Sequence, residues 1–320
     1  MLYFALDHLV HVTILIILAL SLNLINGFTG MFSLGHHGFF AAGAYAAGAF
    51  ILFTMPTDPG LAVTVAWFVM SLGAGIAAAA LFGLIVGVPC LRLKGDYLAI
   101  ATLGFGEIVR IIAQNTESVG GARGLEVPYL LIPRSRDTEI AYVGLYLTIL
   151  VVMAVITYVV IRNILRSTHG RALIAIREDE TAAELLGVNL TRYKVAAFVI
   201  GAGFAGLAGA LYTNYMTQIE PKEFNLIKGI YILLYVVLGG MGSMSGTVLA
   251  TILLYALDKV ILNLMPPEIQ AWREVFFALL LVVVMVSRPQ GLLGHKEIYQ
   301  TALWKRIFGK RGDTQTPAAP

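Results

Sequence analysis

Long apolar runs separated by brief polar breaks dominate the chain. They fall at about 8–26, 28–54, 60–90, 96–115, 140–162, 194–217, 226–242, 246–265 and 272–288. A bilayer core about 30 Å thick takes roughly 20 apolar residues of helix. The pattern therefore predicts an all-α fold, a polytopic transmembrane helical bundle of about nine segments, within a range of eight to ten. Little chain is left for a second domain. Residues 1–294 read as one transmembrane domain and 295–320 as a basic, partly disordered tail.

Two runs depart from a simple crossing. Residues 28–54 open Phe28-Thr29-Gly30-Met31-Phe32-Ser33-Leu34-Gly35-His36-His37-Gly38. Glycines, a serine and two histidines suit a broken or re-entrant helix, because irregular backbone at membrane depth has to be enclosed by protein or a water-filled cavity. The run 60–90 is long for one crossing and is expected to tilt or split.

Composition narrows the class. Hydrophobic residues make up 58 % of the 320 residues and charged residues 13 %, about half of what soluble domains carry. That excludes a soluble globular enzyme and a disordered chain. The single cysteine, Cys90, excludes a disulfide framework and a CxxC metal site. The net charge of +3 does not point to nucleic acid, since the basic residues fall in the connections between spans.

Fourteen of the 22 Lys and Arg residues lie in the link Arg92–Lys94, the loop Arg162–Lys194 and the tail from Arg288. By the positive-inside tendency these three places face the cytoplasm. The C-terminus is then cytoplasmic, the stretch 116–139 external and, with nine crossings, the N-terminus external. No Lys or Arg precedes Arg92, which also argues against a signal peptide.

Few polar groups lie inside the runs. Glu107 and Arg110 sit three apart and can pair as a structural ion pair or line a pathway. Asp258 and Lys259 are adjacent, a spacing that does not face two side chains toward each other on a helix. His8, His11, His36 and His37 lack a visible third ligand, so no metal and no cofactor is expected. Gly201-Ala202-Gly203-Phe204-Ala205-Gly206 matches a dinucleotide fingerprint in letters only. It lies in mid-helix, where small residues serve packing.

The loop 163–193 is the most informative polar stretch. Asp179 is placed as an N-cap, and Thr181 with Glu184 has capping-box spacing. Gly187 is placed to end the helix. The resulting two-turn helix spans Asp179, Glu180, Thr181, Ala182, Ala183, Glu184, Leu185, Leu186 and Gly187. It is too short to persist alone in water, and its apolar residues ask for a docking surface.

At this loop the chain resembles the LivM-type permease subunits of branched-chain amino acid ABC importers. Thr181-Ala182-Ala183-Glu184-Leu185-Leu186-Gly187 fits the EAAxxxG motif of importer permeases, with Thr181 in place of the first Glu. Further similar stretches are Ser33-Leu34-Gly35-His36, Gly95-Asp96-Tyr97-Leu98-Ala99-Ile100-Ala101-Thr102-Leu103, Gly106-Glu107-Ile108-Val109-Arg110, Gly120-Gly121 with Gly124-Leu125, and Arg288-Pro289-Gln290-Gly291-Leu292-Leu293-Gly294. Together they cover nearly the whole chain.

The resemblance implies a non-catalytic subunit in the bacterial inner membrane. It would pair with a second, homologous permease. Two cytoplasmic ATPase subunits would drive the pair, and an external substrate-binding protein would deliver the cargo. The absence of a GxxxxGK[ST] loop agrees that ATP is hydrolysed elsewhere. Candidate pathway residues are Asn23, Asn26, Ser33, His36, Glu107 and Ser243. Asn and Ser suit a zwitterion because they both donate and accept. Gly30-Met31-Phe32-Ser33 echoes Gly240-Met241-Gly242-Ser243, as paired interrupted helices in transporters do. Urea, short amides or other amino acids as cargo, or a secondary transporter without an ATPase, are the alternatives.

Overall fold

A computed structural model describes residues 2–56, 60–90, 93, 95–128, 139–216, 218–261, 266, 272–287 and 291. Arg92, Lys94, Arg288 and the tail 295–320 lie outside these residues, as does the polar stretch 129–138.

The chain is a helical membrane bundle. Helix α1 (Leu2–Asn23) runs into a π turn (Leu24–Phe28), and α2 (His36–Thr54) follows an irregular link. Next come α3 (Leu61–Cys90), α4 (Asp96–Asn115) and α5 (Glu139–Arg166). The short helices α6 (Thr168–Glu178) and α7 (Glu180–Leu185) precede α8 (Leu190–Tyr215). Helices α9 (Leu226–Gly239), α10 (Met244–Ala256) and α11 (Arg273–Ser287) close the order. Strands β1 (Leu125–Glu126) and β2 (Gln218–Ile219) pair antiparallel.

Among the described residues, five helical stretches are long and apolar enough to cross a membrane: Phe4–Phe28, His36–Thr54, Ala62–Cys90, Tyr142–Arg166 and Leu190–Tyr215. The chain is thus multi-pass. The 60–90 run is one unbroken helix of 30 residues. At 1.5 Å per residue it is about 45 Å long, more than a core of about 30 Å, an excess that tilt, bending or local thickening of the bilayer accommodates. Helix α9 has only 14 residues and reaches about 21 Å, less than a full crossing.

The core is built where small residues let backbones touch. Helices α2, α3 and α8 pack together through Gly43, Gly75 and Gly206. A Cβ added to Gly43 would sit 2.3 Å from the Gly206 Cα, and one added to Gly206 would sit 2.5 Å from the Gly75 carbonyl oxygen. Without a hydrophobic drive between helices in lipid, such close approach supplies the packing energy. The GxGxxG letters lie wholly within α8, in this packed interior. Apolar side chains on α3 and α5, such as Val69, Leu81, Val151 and Val155, face outward, as lipid requires.

Helix α1 runs antiparallel to α8. Tyr215, near the end of α8, hydrogen-bonds Asp7, near the start of α1, and Gly201 packs on Ile25. The bundle therefore has two distinct ends. One carries α6 and α7. The other carries the β1–β2 ribbon, the start of α1 and the Pro221–Phe224 turn.

Candidate functional site

Two interrupted junctions lie side by side in the interior. At the first, the α1 helix widens into its π turn, breaks at Gly30 (φ 73°) and restarts at His36. The helix restart is thus eight residues later than the start of the apolar run at Phe28. At the second, α9 and α10 are joined through Gly240 (φ 106°) and Gly242 (φ 91°). Only glycine enters that part of backbone space cheaply. The echo between Gly30–Ser33 and Gly240–Ser243 is therefore visible as backbone geometry, with left-handed glycines at both breaks.

Asn23 ties the two junctions together. Its Nδ2 donates to the Ser243 carbonyl at 3.0 Å and to Thr247 Oγ1 at 2.9 Å, and its Oδ1 accepts from the Gly242 N–H at 2.9 Å. Gly27 makes room for this contact, since a Cβ there would sit 2.4 Å from the Gly242 nitrogen. Asn26 braces the first break: its Nδ2 donates to the Ser33 carbonyl at 3.1 Å and its Oδ1 accepts from the Ser33 N–H at 3.2 Å. Ser243 caps α10 by accepting from the Gly246 N–H. His36 Nε2 pairs with Ser21 Oγ at 2.7 Å. His36 Nδ1 and Ser33 Oγ are buried with no hydrogen-bond partner among the described residues.

Asn23, Asn26, Ser33, His36 and Ser243 are all buried and close together. Glu107 lies apart from them on α4. Arg110 Nε donates to Glu107 Oε2 at 2.7 Å, and His37 Nε2 lies 3.7 Å from Glu107 Oε1. The sequence pairs Glu107 with Arg110 but does not bring in His37. That histidine is clamped between Gly106 and Gly229, where added Cβ atoms would sit 2.6 and 2.7 Å from its ring.

The arm at one end of the bundle is α6–α7. Ser167 caps α6, and Asp179 caps α7 by accepting from the Thr181 and Ala182 N–H groups. Asp179 alone is the N-cap, so Thr181 lies inside the helix and does not open a capping box. At the other end the Gly187 N–H donates to the Glu184 carbonyl and the Val188 N–H to the Ala183 carbonyl. These are the two bonds of a Schellman motif, and Gly187 has φ 84°. Glu180 meets Lys194 Nζ at 2.5 Å, which anchors α7 to α8. Ala183 is buried, whereas Leu185 and Leu186 are 84 % and 83 % exposed.

The arm also reaches the first junction. Arg177, on the last turn of α6, donates from Nη1 to the Gly27 carbonyl at 3.1 Å. A Cβ on Gly30 would sit 2.9 Å from Arg177 Cγ. The sequence shows Arg177 only as one of the loop's basic residues.

At the opposite end a cavity of about 590 Å³ opens between α1, α8, α9 and α10. Asn23, Asn26, Ser33, His36 and Ser243 do not line it. Asp258 and Lys259 do, and they lie 3.7 Å apart, nearer than sequence adjacency on a regular α-helix suggests. They sit in a wide π turn, Leu257–Ile261, from which the long lysine reaches back. Among the described residues no group of three or more His, Cys, Asp or Glu could hold a metal ion.

Comparison with known proteins agrees with the architecture. The family described as "Branched-chain amino acid transport system / permease component" matches residues 4–285. The high-affinity branched-chain amino acid transport system permease protein LivM of Salmonella typhimurium is 39 % identical over 303 residues, covering 88 % of this chain and 68 % of the relative. A probable LivM permease of Methanocaldococcus jannaschii is 28 % identical over 252 residues, 73 % of this chain and 71 % of its own length. The LivH permease of Escherichia coli is 27 % identical over 292 residues, covering 88 % and 92 %. No solved structure matches. A match that runs through α1 to α11, at this identity to LivM, places the interrupted junctions and the α6–α7 arm within a known type of membrane protein: the chain belongs to the family of branched-chain amino acid transport system permease components.

Proposed function

We propose that the chain is the LivM-type permease subunit of an ATP-driven importer for branched-chain amino acids in the bacterial inner membrane. One observation carries most weight. Helix α7 is capped at both ends and held by Glu180–Lys194, yet it leaves Leu185 and Leu186 in the open. Two adjacent bare leucines on a polar loop suit a partner surface. In this reading the partner is a cytoplasmic ATPase, and residues 179–187 are the coupling helix. The LivM and LivH names of the relatives support a branched-chain cargo.

A second, homologous permease, two ATPases and an external binding protein complete the proposed machine. This chain supplies no catalysis. Its residues 1–294 act as one permease domain, and the tail 295–320 stays in the cytoplasm. Asn23, Asn26, Ser33, His36, Glu107 and Ser243 belong to the pathway side of the bundle. Asn23 and Asn26 keep the two broken junctions in register, so that movement at one is felt at the other. Glu107 and Arg110 form an ion pair on α4.

The test of function is uptake of radiolabelled leucine by the complete transporter in proteoliposomes. ATP-dependent accumulation, competed by isoleucine and valine, is expected. Accumulation of labelled urea with none of labelled leucine would reject the cargo. Uptake that continues with no ATPase subunits present would reject the ATP-driven class.

Orientation has its own test. Ser118 and Thr168 are both exposed, at opposite ends of the bundle. In a Cys90→Ser background, Ser118→Cys is expected to react with an impermeant thiol reagent applied to whole cells, and Thr168→Cys only after the membrane is opened. The reverse pattern would invert the topology.

A further inference from the structure

The cavity at the end opposite the α6–α7 arm has the chemistry of a ligand site. Its volume of about 590 Å³ falls within the roughly 300–1,000 Å³ usual for small-molecule sites. Its wall carries charges of both signs: Asp258 and Lys259 face each other at 3.7 Å, whereas Lys228 and Glu223 share the wall without an ion pair between them among the described residues. Lys228 Nζ lies over the faces of Tyr212 and Phe40, 5.2 and 5.6 Å from the ring centroids. The Tyr212 hydroxyl donates to Glu223 Oε2 at 2.5 Å. One tyrosine thus holds the ammonium against its face and the carboxylate at its hydroxyl. Among the described residues no carboxylate lies within ion-pair distance of Lys228.

A lysine on an otherwise apolar helix is costly unless something compensates its charge. Two aromatic faces offset part of that charge, which leaves room for an anion. Nearby, His8 Nδ1 bonds the Tyr255 hydroxyl at 2.9 Å, and His8 Nε2 is buried with no hydrogen-bond partner among the described residues. Ile14, Leu15 and Ile232 give the wall an aliphatic part beside these polar groups.

A cation, a separate carboxylate and an aliphatic wall match one ligand class: a free α-amino acid with an aliphatic side chain. We propose that this cavity is an amino-acid site within the permease itself, in which Lys228 takes the α-carboxylate, Glu223 the α-ammonium, and Ile14, Leu15 and Ile232 the side chain. This deepens the proposed function and rests on its cargo. It gives the permease a selectivity step of its own, made after delivery by any binding protein. Lys228 is the anchor, because a point charge between two aromatic faces fixes where the carboxylate lies.

Two measurements test it on the complete transporter. First, Lys228→Met is expected to raise the apparent KM for leucine by about tenfold or more, while Lys228→Arg keeps it near the original value. Second, Met216→Cys places a thiol on the cavity wall in a Cys90→Ser background. Millimolar leucine should slow its modification by an impermeant reagent. Leucinol, which has the ammonium and side chain but no carboxylate, should not. This measurement keeps Lys228 in place, so it decides the matter even if the methionine variant fails to assemble. Equal protection by leucine and leucinol, or no protection by either, overturns the site, as does an unchanged KM in Lys228→Met. If the unaltered transporter takes up no leucine, the cargo assignment fails instead, and the two failures are told apart.

Discussion

Aspartates in place of both Leu185 and Leu186 are expected to abolish uptake by the assembled transporter and to strip the ATPases from it during purification. The permease itself should remain in the membrane at its normal level. The two leucines make almost no contact within the chain, since each is more than four-fifths exposed. Their removal therefore creates no cavity and leaves the fold intact. A surface substitution of that kind changes folding stability by about 0.5 kcal/mol or less. At an interface the same residues behave differently. Burying a leucine removes apolar area worth about 1.5–3 kcal/mol. An aspartate in its place has to be desolvated without a partner. Two such changes weaken docking by about a hundredfold or more.

Gly187→Val tests the same helix from its end. Nothing lies within 4 Å of a Cβ at Gly187, so the cost is purely conformational, at φ 84°. A β-branched residue there costs on the order of 1–2 kcal/mol and opens the two bonds that close the helix. Its effect should follow the double aspartate variant but be smaller. Retention of both ATPases and of full uptake in the double aspartate variant would make α7 a passive linker.

The sequence makes the membrane class and the α7 helix legible for different reasons. Hydrophobic runs of bilayer length have few readings, so the long crossings emerge from counting alone. The α7 boundaries follow from local chemistry. Asp179 and Gly187 are where an N-cap and a left-handed C′ residue have to be, because each satisfies backbone groups within a few positions of itself. Thr181 and Glu184 carry the letters of a capping box, but Asp179 stands two residues earlier and takes the N–H groups first.

Contacts over long sequence separations are not legible in this way. Asn23 looks like a polar residue near the end of a span. That it holds Gly242, Ser243 and Thr247, more than 200 residues away, depends on how α10 returns beside α1. His37 likewise reads as half of a His36–His37 pair. The fold turns the two rings to different neighbours, His36 to Ser21 and His37 toward Glu107. Lys228 had a usable signal, a lone cation near the start of an apolar run. What gives it meaning, the faces of Phe40 and Tyr212, comes from two other helices.

Arg177 is the residue through which movement of the arm is expected to reach the membrane interior. Its guanidinium spans two elements. Nη1 donates to the Gly27 carbonyl at the π turn of α1, while Nε and Nη2 grip Glu178 Oε1 at 3.1 and 2.5 Å. The Gly27 carbonyl sits beside the break at Gly30, and Asn23 carries the same turn to the α9–α10 junction. A push on α7 therefore has a continuous route: α6, Arg177, the first junction, Asn23, the second junction. Arg177→Met keeps the aliphatic stem against Gly30 and loses every one of those donors. The expected result is uptake lowered by about tenfold or more, with the ATPases still bound and still hydrolysing ATP. That pattern separates transmission from docking, because the Leu185–Leu186 variant loses both. Arg177→Lys should not restore uptake, since one ammonium cannot reproduce a planar fork that serves a carbonyl and a carboxylate together. If Arg177→Met transports normally, the arm acts on the pathway by another route. If it sheds the ATPases, Arg177 belongs to the docking surface.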